Sequence, residues 1–152
     1  MHIQHYIPKH SNDFIRIIWE QYSDEKSSWE ILPSGYVELI FRISTKFTVD
    51  KHRSYLKKTE STGNFCFLSG LHTKPLYLSF DRLHVIGLQL NPIAVKALFG
   101  LPANELRNSA IEGEAIIISL NRIEDILKSE RTFQPCCERN IHSWRCALVC
   151  SV

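Results

Sequence analysis

The sequence has no long apolar run and no strong charge of either sign. No stretch approaches the roughly 18 residues that a membrane-crossing helix needs. The opening segment, MHIQHYIPKH, has no basic stretch leading into an apolar one, so no secretory signal is read there. The cytoplasm is therefore the default compartment. A formal net charge of +2 is too small to point to a nucleic-acid surface, because non-specific affinity for DNA comes from many Lys and Arg contacts to phosphate. Internal repeats and low-complexity segments are missing as well. Cysteine is nearly absent from the body of the chain, where Cys66 stands alone, while Cys136, Cys137, Cys146 and Cys150 crowd behind Pro135. That placement excludes the evenly spread disulfide framework of a small secreted domain. What is present is 152 residues, 44% hydrophobic and 22% charged, enough for one globular domain of about 100–150 residues with its own core.

The first ninety residues read as strands. Phe14 to Glu20 and Trp29 to Leu32 are rich in Ile and aromatic side chains. Leu32-Pro33-Ser34-Gly35 fits a tight turn, in which Pro presets its own φ and Gly relieves the last position. Tyr36 to Ile43 then alternates, with Val37, Leu39, Phe41 and Ile43 on one side and Tyr36, Glu38, Ile40 and Arg42 on the other. Residues 44–64 read as a polar loop holding one short strand near Phe47–Val49. Strands resume at Phe65–Leu68 and Leu76–Phe80; Asp81-Arg82 reads as a hairpin turn, and Leu83–Leu90 as the returning strand. Short strands joined by turns at close spacing predict an antiparallel barrel or sandwich.

The pattern changes at Asn91. Asn91 suits a helix cap, Pro92 its first turn and Gly100 the position past its end. Ile93, Ala97 and Leu98 form the expected apolar stripe, widened by Val95 and Phe99. A second short helix is expected from about Pro102 through Leu106. A third is expected from Ser119 or Asn121, where Glu124 completes a capping box and Leu120, Ile123 and Leu127 share one face. A run of strands followed by a run of helices is an α+β order, not an alternating α/β one.

Three segments resemble a known family. Ile31-Leu32-Pro33-Ser34-Gly35-Tyr36-Val37-Glu38-Leu39-Ile40-Phe41 is similar to the LPDGxxxLIF strand–turn–strand of one group of AraC/XylS-type transcriptional regulators. Phe67-Leu68-Ser69-Gly70-Leu71-His72-Thr73-Lys74-Pro75 resembles that group's FLxGxxTxP segment. Val85 to Pro92, with Ala94, Leu98, Phe99, Gly100, Leu101 and Pro102, resembles its strand–helix junction. The sequence departs from the family at Ser34, where an Asp is usual, and at Pro92-Ile93-Ala94, where the family has PGG.

The resemblance implies an α+β domain with an antiparallel cupin-like β-barrel or sandwich in front and short C-terminal helices behind. Residues 1–118 would form this regulatory domain, 119–134 the start of a dimerising linker helix, and 135–152 an atypical Cys-rich tail. The implied function is effector sensing and homodimerisation, with Leu120, Ile123 and Leu127 as the dimer contact. The family's DNA-binding half needs about a hundred residues for two helix-turn-helix units. Only a short tail follows Arg131, so the expectation is a regulator cut off before its reader domain, unable to bind DNA alone. The alternative is a stand-alone cupin-like small-molecule-binding protein or enzyme.

For an effector, Tyr36, Glu38 and Arg42, with Ile40 between them, are the candidate ligand-binding set if their side of the strand looks into a cavity. The alternation rule favours the other arrangement, in which Val37, Leu39, Phe41 and Ile43 form the core and the Tyr36 side is solvated. No metal or other cofactor is expected. None of the seven His belongs to a His-x-His pair; His52 falls in the loop, His72 beside a turn, and His84 alone on a strand. His142, Cys146 and Cys150 at i, i+4 and i+8 are ligand types that zinc takes. Yet Cys136-Cys137 is no C-x-x-C knuckle, and foreign sequence read in a shifted frame is the plainer account of the tail. The basic run Lys51-His52-Arg53 with Lys57-Lys58 is flanked by Asp50 and Glu60 and reads as a solvated loop. Ser69-Gly70 lacks the G-x-S-x-G elbow, and no enzymatic activity is expected.

Overall fold

The Pro33-Ser34-Gly35 turn sets one corner of the domain. Gly35 sits at φ +73°, where a side chain is strained, and the Tyr36 amide donates to the Ser34 hydroxyl at 3.3 Å. The computed structural model describes residues 2–7, 15–43, 46–49 and 66–112. Their strands are β1 (His2–Tyr6), β2 (Ile15–Ser23), β3 (Ser27–Ile31), β4 (Val37–Arg42), β5 (Lys46–Val49), β6 (Cys66–Ser69), β7 (Leu76–Leu90) and β8 (Ala110–Glu112). Helix α1 (Pro92–Phe99) and a 3-10 turn at Ala103–Leu106 separate β7 from β8. All pairings are antiparallel.

The residues read as a hairpin turn, Asp81-Arg82, instead lie inside one uninterrupted strand of 15 residues. The N-terminal half of β7 pairs with β3 and β5, and its C-terminal half with β2 and β4. Its register to β5 jumps from Arg82 to Phe80, which leaves Asp81 as the extra residue of a β-bulge. A bulge bends a strand and shifts its side-chain alternation by one. Accordingly Leu76 and Phe80 are buried before it and Leu83 and Val85 after it, while Asp81 and Arg82 both face water. Two charged outward residues resemble a turn in sequence; here Asp81 pairs with Lys26 and Arg82 with Asp24, each at 3.5 Å, at the β2–β3 corner.

The larger, open sheet has the order β1-β2-β7-β4-β6-β8; β3 and β5 complete a smaller sheet around the first half of β7. One side of the larger sheet carries Ile18, Val37, Leu39, Phe41, Leu68, Leu88 and Leu90, all fully buried. Ala94, Val95 and Leu98 of α1 and Leu106 of the 3-10 turn join this cluster. Burying one such aliphatic chain stabilises the fold by about 1.5–3 kcal/mol. Helix α1 ends as its sequence requires: Gly100 takes φ 68° and its amide closes on the Lys96 carbonyl. Its inward stripe differs from the expected one. Ile93 is 75% exposed and Ala97 also faces out, while Ala94 and Val95 point in. Apart from Lys96 the helix is apolar all round, so its own residues do not mark which side meets the sheet.

β1 and β8 were not read from the sequence. β1 is an edge strand, HIQHY, exposed except at its last residue, Tyr6, and without an apolar face. β8 has three residues and pairs with β6. The docking of β6 onto the turn before β8 requires Gly70, whose absent Cβ would lie 1.8 Å from the Leu106 carbonyl oxygen. No helix among the described residues is long and apolar enough to cross a membrane.

Candidate ligand-binding cavity

The second face of the larger sheet is half-buried, not open to solvent as the alternation rule predicts. Register places its side chains in rows across the strands. Ile17, Gln89, Glu38 and Ser69 stand opposite one another, and beside them lie His5, Trp19, Gly87, Ile40 and Phe67. The smaller sheet faces these rows with Trp29, Ile31, Leu78 and Phe80. Between the two sheets lies a half-open cavity of about 400 Å³, lined from both.

Gly87 shapes its floor. A Cβ there would fall 2.2 Å from Trp19 Cε2 and Cζ2, so only glycine lets the indole lie across β7. Trp19 then donates its ring N–H to the Glu38 carboxyl. Gln89 Nε2 donates to Glu38 Oε1 at 3.3 Å, and Arg16 Nη1 donates to Gln89 Oε1 at 3.2 Å. A guanidinium has only donors. Arg16 therefore holds the Gln89 oxygen toward itself and turns the amide nitrogen to Glu38. The Arg16 Cζ in turn sits 4.4 Å from the Tyr36 ring centroid. Burial among apolar walls pushes the Glu38 carboxyl up from its ordinary value, and the bonds from Gln89 and Trp19 draw it part of the way back.

Of the residues expected to bind a ligand, Glu38 and the neighbouring Ile40 line the cavity. Tyr36 is half-buried under Arg16, and Arg42 is buried opposite Val85; neither belongs to the lining. The two arrangements weighed for β4 are not exclusive: Val37, Leu39 and Phe41 do form a core, and the opposite side is covered too. Trp19, Gln89, Trp29 and Phe67 were not singled out from the sequence. A glycine inside the apolar stretch 83–90, and one Gln among its aliphatics, were the available signals. Neither names its partner on a distant strand.

The histidines have other surroundings. His84 Nε2 lies 2.8 Å from Glu20 Oε1, on the opposite side of the sheet from the cavity, with its ring edge-to-face on Tyr22. His72 Nε2 lies 2.7 Å from the Ser69 hydroxyl, and burial lowers its pKa. Among the described residues no three His, Cys, Asp or Glu side chains converge as a metal site. Leu120, Ile123 and Leu127, the basic loop residues 51–58 and the Cys-rich tail lie outside the described residues.

No curated protein and no solved structure matches the chain. Residues 4–112, from β1 to the end of β8, match a family model, and the chain belongs to that family, described as Domain of unknown function (DUF6597).

Proposed function

We propose that the chain is the effector-sensing and dimerising part of an AraC-type transcription regulator, and that the cavity between the sheets is its effector site. The cavity itself carries this reading: about 400 Å³ of mostly apolar space with one carboxyl among its described lining residues, held in place by Trp19 and Gln89. That is the usual make-up of a small-molecule site, apolar walls with a few placed polar groups. The three segments that resemble such regulators all fall within residues 4–112. Antiparallel pairing and a ligand-sized space between two sheets support a cupin-like module. In this reading the protein acts in the cytoplasm without catalysis or cofactor, dimerises through Leu120, Ile123 and Leu127, and reaches DNA only through a helix-turn-helix domain. A stand-alone binding protein would share the cavity but not the dimer.

Trp19 and Trp29 are reporters built into the cavity walls. A small-molecule library screened by thermal shift and tryptophan emission should yield a compound that moves both. A ligand at 100 times its Kd stabilises by about 2.7 kcal/mol. A library without any such compound overturns the effector site. Light scattering tests the dimer separately: a strict monomer, or a dimer indifferent to Ile123→Asp, removes the proposed contact.

A further inference from the structure

Resting on the reading of this cavity as an effector site, we infer that it takes an organic cation, a small ammonium compound with an apolar body. Among the described residues the lining contains one carboxyl, Glu38, and neither Lys nor Arg. An anionic ligand would face Glu38 with no cationic side chain among the described lining residues, since Arg16 and Arg42 lie outside the lining. A polyol would find few partners, since Gln21, Gln89 and His5 are the other polar side chains of the lining among the described residues. A cation meets the reverse situation. Glu38 accepts from Gln89 and Trp19, which occupies about two of a carboxylate's roughly four acceptor positions and leaves room for a ligand donor or charge. Burial penalises the ionised form of Glu38, and an ammonium group beside it offsets that penalty.

The walls favour the same charge. Trp29 and Phe80 meet edge-to-face, with centroids 4.7 Å apart and planes at 89°, and Trp19 and Phe67 complete the aromatic lining. Electron-rich ring faces attract a cation, and more strongly the less water reaches it. Aromatic walls at right angles beside one carboxyl therefore select positive charge and an apolar body together.

The test uses three probes of similar size on the full chain, read by tryptophan emission and titration calorimetry. They are benzyltrimethylammonium, its uncharged isostere neopentylbenzene, and 3-phenylpropanoate. The cation should bind at least tenfold tighter than the neutral isostere, and the anion weakest. Glu38→Gln should weaken the cation about tenfold and leave neopentylbenzene unchanged. Trp29→Leu, a second variant that leaves the carboxyl in place, should weaken the cation several-fold more than the neutral probe. Equal binding of cation and isostere, preference for the anion, an unaltered cation affinity in Glu38→Gln, or no binding of any probe overturns the cation class. Neutral or anion binding would leave the effector site standing with a different ligand, so the two ideas fail separately.

Discussion

The larger sheet buries both of its faces, but in different ways. On the helix side Val37, Leu39 and Phe41 are fully buried against Ile18, Leu88, Leu90 and α1. On the other side Glu38 and Ile40, the alternate residues of the same strand, are half-buried and line a cavity. One side is close-packed and stabilises; the other retains space and a carboxyl whose burial is a cost. A single strand thus faces a packed core with Val37, Leu39 and Phe41 and a cavity with Glu38 and Ile40.

The largest effect should come from the packed side. Phe41→Ala should lower unfolding stability by about 3–5 kcal/mol in urea. Ile40→Ala should lose less than half as much, because its side chain already borders empty space. Equal losses would show that the cavity side is packed like the core.

Gly87→Ala places a methyl where Trp19 lies. Overpacking of this kind costs about 1–3 kcal/mol, and the displaced indole should change the tryptophan emission. A variant with wild-type emission would mean that the ring does not depend on Gly87.

Two partly buried titratable groups, Glu38 and His72, differ in pH response. The Glu38 pKa is raised in the folded state, so its contribution is full below the ordinary carboxylate pKa and is lost as pH rises through the raised value. Glu38→Gln removes this loss and should raise Tm near neutral pH more than at pH 4. The lowered His72 pKa acts in the opposite sense, with its contribution full above the ordinary imidazole value and lost as pH falls through the lowered one. His72→Gln should flatten the acid side of the Tm profile. The smallest effect belongs to the corner. Lys26 and Asp81 are more than 80% exposed, and such pairs are screened by solvent, so Asp81→Asn should leave Tm unchanged while the bulge persists.

Much of the framework was legible because it is local. The Pro33-Ser34-Gly35 turn, the alternation of β4, the Gly100 stop and the short turn before Leu106 each depend on neighbouring residues. The course of β7 was not. Asp81 and Arg82 have the polarity of a turn, and only pairing with β3 and β5 on one half and β2 and β4 on the other keeps the strand continuous. The edge strands were hidden for a related reason: β1 has no apolar side to read, and β8 is too short to show a period.

The candidate site was legible at one residue. Glu38 stands out as a carboxyl within an apolar strand, but Tyr36 and Arg42 share its side by alternation and still fall outside the cavity. Trp19, Gln89 and Trp29 come from three other strands, and periodicity within one strand carries no information about another.

By itself the sequence determined the sequence-local features: an antiparallel β-rich front, the turn and cap positions, and which side of β4 is purely apolar. Tertiary structure alone decided that the second side is covered, that Gly87 receives Trp19, and that Arg16 orients Gln89 toward Glu38. The physical reason is the bulge at Asp81, which bends β7 so that two sheets share one strand and enclose a space that neither borders alone.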